Sequence, residues 1–197
     1  MPSDRKKWAR KQEETQHSSI TRFPWSLLCS AGCKMASNLQ KISSIGLIQS
    51  VKSATLRFVT SHDFQGRIGA ITYPQEIPGG QWAEFVHSGY VGKPPGSIGA
   101  VVYRCLNPSG KDCDWMMSWS NKYGDTSRKV YTEINIQGHY DNDAVWPEIL
   151  KKLNKGTKHS EARWAKWSAT VDEVPNEDCD EFVIFQGIIQ ANPNDST

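Results

Sequence analysis

Three histidines stand beside acidic residues in a pattern that could support acid–base or metal chemistry. His62 precedes Asp63, His87 follows Glu84 by three positions, and His139 leads into Asp141 and Asp143. An imidazole titrates near neutral pH and a neighbouring carboxylate can orient it, so such pairs are raw material for general acid–base catalysis and for metal ligation. The spacing completes neither. A zinc site needs paired donors at a fixed short spacing plus a third ligand. The nearest approach, His139-Tyr-Asp-Asn-Asp143, reads as a polar turn that caps a helix. A serine hydrolase needs its nucleophile on a strained strand-to-helix turn. Ser118 and Ser120 instead fall on a regular strand pattern, no G-x-S-x-G occurs, and Gly79-Gly80 reads as turn chemistry rather than as a phosphate loop. An enzymatic reading therefore rests on a site assembled around His62, His87 or His139 by the fold. No catalytic residue, metal ligand or cofactor is assigned.

Cysteine chemistry is equally sparse. The count of five is odd, Cys29 and Cys33 lie in a polar segment with no His-rich partner motif, and Cys105 and Cys113 flank a hairpin turn across which they could face each other. Free thiols in a reducing compartment are the simplest reading, which places the protein in the cytoplasm. Aromatics give the stronger signal. Trp82, Trp115, Trp119, Trp146, Trp164 and Trp167 lie in the stretch 41–190, together with six tyrosines. Most must be core, but Trp and Tyr also suit sugar rings, choline and lipid interfaces. Trp82, Tyr90, Trp119 and Tyr123 are the expected ligand contacts.

Residues 1–40 are polar and aperiodic, with seven basic residues against three acidic ones, and are read as a disordered basic extension. Met35-Ala-Ser-Asn has the look of a natural start, so the first 34 residues are expected to play no part in the fold. Residues 41–190 form the folded domain and 191–197 a flexible tail. The domain is close to neutral, which disfavours nucleic acid as its partner. No apolar run reaches the roughly 20 residues of a membrane span, and Phe23–Cys33 is too interrupted for a secretory signal.

Period-two alternation predicts strands from Ser43 onward. Trp82 and Glu84 share one face of a strand and Ala83, Phe85 and His87 the other. Ser97–Leu106 and Asp114–Asn121 form a hairpin around Asn107-Pro-Ser-Gly110, with Trp115, Met117 and Trp119 on one face. Val130, Thr132, Ile134 and Ile136 share a face of the next strand. One helix is predicted, capped by Asp143, carrying Trp146, Ile149, Leu150 and Leu153 inward and stopping at Gly156. Glu161–Val171 and Glu181–Gln190 are two further strands, the second apolar on both faces and hence central. Many short strands with a single helix predict a mainly β sandwich or barrel.

Four runs then carry a family resemblance: Val59-Thr-Ser-His-Asp-Phe-Gln-Gly-Arg-Ile-Gly69, Gly80-Gln-Trp-Ala-Glu-Phe-Val-His87, Gly99-Ala-Val-Val-Tyr-Arg104 and Cys113-Asp-Trp-Met-Met-Ser-Trp-Ser-Asn121. In order and spacing they resemble the plant 23 kDa jasmonate-induced protein family. That family looks related to Nakanori, a fungal lipid-binding protein, and through it to the actinoporin-like β-sandwich. The resemblance implies an actinoporin-like sandwich with one or two flanking helices, a stress-responsive plant protein, and a lipid headgroup as ligand. No sustained apolar stripe runs through residues 1–40, so pore formation is not expected. Longer members carry a helical segment ahead of the first strand, of which only Met35–Ser44 remains here. The functional expectation is a non-catalytic protein that binds a lipid headgroup or glycan through aromatic loops at one end of the sandwich. The alternatives are the histidine-centred enzyme and a protein-interaction or storage role without a ligand.

Overall fold

The structure is a computed structural model and describes residues 42–51, 54–89, 96–106, 112–175 and 182–191. The expected extension over 1–40, Cys29, Cys33, Tyr90, the Asn107–Gly110 turn and nearly all of the 191–197 tail lie outside these residues. The described residues form eleven strands and one α-helix in chain order: β1 (Ser43–Val51), β2 (Thr55–Gln65), β3 (Arg67–Ile68), β4 (Glu76–Ile77), β5 (Trp82–Ser88), β6 (Gly96–Leu106), β7 (Cys113–Lys122), β8 (Lys129–Ile136), α1 (Val145–Lys155), β9 (His159–Trp164), β10 (Trp167–Val174) and β11 (Phe182–Ala191). They make two sheets, β3-β5-β1-β11-β10-β9 and β4-β2-β6-β7-β8. The architecture is the expected mainly β sandwich with a helix at its side.

The alternating residues behave as their period demands. Trp115, Met117 and Trp119 point between the sheets, with Ile48, Leu56, Phe85, Tyr103, Val130, Trp167 and Phe185. Met116, on the other face of β7, packs with Ala100 and Val102 under Trp146 and Ile149 of α1. The first sheet has a second apolar cluster on its outer face, formed by Ile45, Leu47, Val86, Phe182 and Ile184. Central strands apolar on both faces are the signature of a sheet packed on both sides. β11 is central as expected, lying between β10 and β1 and pairing with β1 in parallel, Ser43 opposite Phe182 through Val51 opposite Gln190.

Two interior glycines make room for aromatic rings on the facing strand. Gly46 is directly opposite Phe85 and Gly99 directly opposite Trp119. A Cβ on Gly46 would come within 2.1 Å of the Phe85 ring, and one on Gly99 within 2.7 Å of the Trp119 ring. Each ring lies flat over a backbone that has no side chain to displace it.

Three local expectations are corrected. Asp143 does not cap α1 through its side chain; Ala144 is the N-cap residue, and the Asn142 carboxamide oxygen accepts from the Ala144 N–H at 2.9 Å. The stretch Glu161–Val171 is not one strand. It turns back on itself between Trp164 and Trp167, which are directly paired, and Ala165 takes a left-handed φ of 49° at the corner. A two-residue turn needs positive φ, usually supplied by Gly, Asn or Asp, so this one carries no sequence mark. Ile136 leaves the apolar face of β8 and is 62% exposed at the strand end.

Candidate functional site

The three histidines sit in three different environments. His62, on β2, stacks on the Trp146 indole with ring centroids 4.8 Å apart and meets Phe64 edge-on. His139 lies in a single 3₁₀ turn before α1, with Nε2 3.9 Å from Glu133. His87 points into the sandwich and is fully buried. Its Nε2 is 3.1 Å from Asp63 and its Nδ1 2.9 Å from the Ser97 hydroxyl. Among the described residues no two of the three share a carboxylate, and no group of three or more His, Cys, Asp or Glu residues could hold a metal.

The Ser97, His87 and Asp63 contacts have the membership of a hydrolytic triad but not its function. The Ser97 hydroxyl donates to the backbone carbonyl of His87 at 3.1 Å and accepts from the Trp119 indole N–H at 3.2 Å. Its hydrogen is thus held by a carbonyl, whereas an activated nucleophile surrenders it to the base. Ser97 and His87 are both at 0% exposure, so no substrate reaches them. Ser97, His87 and Trp119 tie β5, β6 and β7 together inside the core, and His87 reaches out to Asp63 of β2, whose side chain is 38% exposed. Sequence reasoning missed Ser97 because nothing in its neighbourhood predicts that a strand serine meets a histidine from another strand.

Other polar networks serve the helix side. Glu133 accepts from Tyr131 at 2.6 Å, Lys152 at 2.9 Å, and Tyr140 and Asn135 at 3.2 Å. Burial would raise this carboxyl, but the hydrogen bonds from Tyr131 and Lys152 outweigh it and hold Glu133 below the usual carboxylate range. Asp114, fully buried, binds Arg104 in a two-pronged pair at 2.8 and 3.1 Å and accepts the Gly138 N–H at 2.7 Å. Cys105 and Cys113 face each other across the β6–β7 ladder as expected, both buried and both free thiols. Burial pushes the Cys105 thiol well above its ordinary value, which removes its nucleophilic form. His159, another histidine beside acids, bridges Asp172 at 2.5 Å and Glu161 at 3.2 Å on the exposed β9–β10 surface.

Of the four expected aromatic contacts, the three among the described residues do not converge. Trp119 is fully buried at 0% exposure in the central core and touches Phe85 and His87; it is a core residue, not a ligand contact, because the strand period turns it inward with Trp115 and Met117. Trp82 is half-buried on the outer face of the first sheet, against the Ile45–Leu47 cluster. Tyr123 is 68% exposed just past the end of β7. Tyr90 lies outside the described residues, in the connection from β5 to β6. The registers put Trp82 and Tyr123 at opposite ends of the sandwich. Ser43 pairs with Ser88, and the Asn121 carboxamide donates to the Ser43 carbonyl at 3.1 Å, so the end of β7 that leads to Tyr123 sits at that end. Trp82 pairs with Gln49 at the other end.

At that far end the outer face of the first sheet holds a shallow cleft of about 220 Å³, lined by Gln49, Val51, Ser168, Thr170, Ile188 and Gln190 with the backbone of Ala169. The ladders bring these residues into rows: Gln49 opposite Ile188, which is opposite Thr170, and Val51 opposite Gln190, which is opposite Ser168. Gln49 is 4% exposed and its carboxamide oxygen accepts no hydrogen bond. Nothing local to β1 predicts these rows, which form only where β11 pairs beside it.

The comparisons with known proteins agree with this architecture. A family model described as Nakanori-like protein matches residues 36–176. The 23 kDa jasmonate-induced protein of Hordeum vulgare is 41% identical over 104 residues, covering 52% of this chain and 49% of that protein. The jasmonate-induced protein homolog of Atriplex canescens is 31% identical over 107 residues, covering 53% of this chain and 56% of that one. The chain thus spans about half the length of the curated relatives it matches. Among solved structures, that of the lipid binding protein Nakanori has a TM-score of 0.72 at 17% identity, covering 90% of this chain and 84% of that one. With the matched region running through β1 to β10, the chain belongs to the Nakanori-like protein family.

Proposed function

We propose that this protein is a non-catalytic, jasmonate-responsive plant protein of the cytoplasm that binds a membrane lipid headgroup with the end of the sandwich bearing Tyr123. The observation that carries the reading is family membership together with the fold shared with the lipid binding protein Nakanori. The named relatives support the link to jasmonate. The Ser97–His87–Asp63 contacts support a non-catalytic role, because the serine and histidine, which would serve as nucleophile and base, are both fully buried. Tyr123 is exposed in a turn flanked by Lys122, Arg128 and Lys129. An amphipathic ring beside cations suits the boundary between lipid headgroups and water, and the β5–β6 connection holding Tyr90 leaves from the same end. No helix among the described residues is long and apolar enough to cross a membrane, so attachment is read as peripheral.

Vesicle co-sedimentation of the full chain tests this, using phosphatidylcholine alone, with sphingomyelin, and with phosphatidylserine. Binding to at least one composition is expected, reduced several-fold by Tyr123→Ala with unchanged thermal unfolding. Equal and negligible sedimentation across all three compositions overturns the reading.

A further inference from the structure

We infer that residues 20–41 of this same chain cover the outer apolar face of the first sheet, packing across β5, β1 and β11. This goes beyond the headgroup reading and does not depend on it, and it gives the segment ahead of β1 a part in the fold.

The face is closed, and the described residues do not account for what closes it. Ile45, Leu47 and Gln49 along β1, Val86 on β5, and Phe182 and Ile184 on β11 all point outward and are each no more than 5% exposed. A sheet face bare to solvent leaves its outward side chains exposed, as Glu161 and Arg163 are on β9 of the same sheet. Burial of this depth needs a second layer over the strands. The described apolar residues against the cluster are Ile71, Trp82 and Val174, each only partly buried. All three belong to the sheet's own layer. Trp82 is on β5 and Val174 on β10, while the Ile71 carbonyl accepts from the Val86 N–H at 2.9 Å and so extends the sheet edge. Helix α1 lies over the other sheet, against Ala100, Val102 and Met116.

The segment before β1 fits as the cover by position, composition and length. β1 starts at Ser43 on the margin of this face, so the chain just upstream leaves the sheet there. Residues 20–28 hold Ile20, Phe23, Trp25, Leu27 and Leu28, apolar surface to set against the cluster. The buried row from Ser43 to Gln49 is about 20 Å long. Spanning it takes about 13 residues as helix or about 6 as strand, and residues 20–41 are sufficient for either. Glu84, opposite Leu47 on the same face, offers a carboxylate to Arg22, Lys34 and Lys41. The other stretches outside the described residues are poor covers. Residues 176–181 and 192–197 carry no large apolar side chain, 107–111 joins two strands of the other sheet, and 90–95 is spent crossing from β5 to β6. The likenesses to known proteins also reach upstream of β1. The Nakanori-like family match begins at residue 36, and the likeness to the Nakanori structure covers 90% of this chain, more than residues 42–197 supply.

The test is paramagnetic relaxation in the full chain, with a nitroxide on Cys29 after Cys33→Ser and Cys179→Ser; Cys105 and Cys113 are buried and stay unlabelled. Amide broadening is expected to be strongest at Leu47, Val86 and Ile184 and weakest at Tyr140 and Ile149 on the helix side. Broadening that is spread evenly, or absent from the three outer-face residues, overturns the inference. Broadening there that arises only when spin-labelled chain is mixed with isotope-labelled chain lacking the nitroxide puts a second copy on the face and overturns it too. In the full chain Leu27→Asp/Leu28→Asp is expected to lower Tm by about 4–12 °C, the loss of a buried leucine, and to abolish the selective broadening. A Tm within about 1 °C of the parent with the broadening unchanged overturns the inference. Where that variant does not fold, the label pattern in the chain that keeps both leucines decides by itself.

Discussion

Gly46 lies under the Phe85 ring, and the cost of filling that position can be worked from the contacts. A Cβ built there falls 2.1 Å from two carbons of the ring, whereas carbon atoms rest about 3.5–4.0 Å apart. The ring must therefore move by about 1.5 Å to restore ordinary contact. It has nowhere to go, being fully buried and flanked by Tyr73 at 4.8 Å and Trp119 at 5.0 Å between centroids. Overpacking of this kind costs about 1–3 kcal/mol, and the rigid surroundings put Gly46→Ala at the upper end, about 3 kcal/mol. For a chain of this size each kcal/mol lowers Tm by about 2–4 °C, so the expected fall is about 6–12 °C. Phe85→Ala alone should cost about 3–5 kcal/mol by opening a cavity. If the ring is the obstacle, the Gly46→Ala/Phe85→Ala double variant should be no less stable than Phe85→Ala, since the new methyl then enters vacated space. The coupling would be about 3 kcal/mol, at the high end for residues in contact. Urea unfolding followed by tryptophan fluorescence measures all three. Additive costs, or a Gly46→Ala variant within about 0.5 kcal/mol of the parent, would refute the steric account.

Two further outcomes follow from the polar networks. Glu133 is held below the usual carboxylate range in the folded state, so its contribution is complete above the unfolded value of about 4.3. That contribution is lost as pH falls through the lower folded value. The urea midpoint should therefore drop below about pH 4, and Glu133→Gln should reduce stability at pH 7 while flattening that part of the profile; an unchanged slope would count against the network. Ser97→Ala should lower stability by about 1–3 kcal/mol, because His87 and Trp119 both lose a buried partner. It should leave p-nitrophenyl ester hydrolysis at the background of the buffer; an esterase activity that the substitution abolishes would restore the enzymatic reading.

Much of the sandwich is legible in sequence because alternation is a local property. Trp115, Met117 and Trp119 against Met116, Ser118 and Ser120 assign both faces of β7 without reference to any other strand. The doubly apolar β11 likewise announces a central position. What the pattern cannot carry is partnership. Nothing in Ser43–Val51 indicates a parallel neighbour at Phe182–Ala191, yet that pairing creates the Gln49 cleft. The β9–β10 corner is invisible because Ala165 occupies a conformation normally marked by glycine. How the aromatic residues are grouped is illegible for a related reason. Residue type shows that Trp82 and Tyr123 could meet a ligand, but only the registers reveal that they stand at opposite ends, and only the period of β7 turns Trp119 inward.

The parallel pairing of β1 with β11 also dictates an order of assembly. The sheet β4-β2-β6-β7-β8 is finished at Ile136, with only β3 and β5 of the other sheet interleaved among its strands. It can form from successive neighbours while synthesis continues. The other sheet has its first strand in place at the outset and receives the strand between β1 and β10 last. Until Phe182–Ala191 leaves the ribosome, β1 and β10 present two unpaired edges lined by apolar residues, the kind of surface that pairs with other chains. A nascent chain stalled before β11 would hold one completed sheet facing an open slot. Closing that slot joins β11 to a partner made nearly a whole domain earlier, a sequence separation of the kind that slows folding.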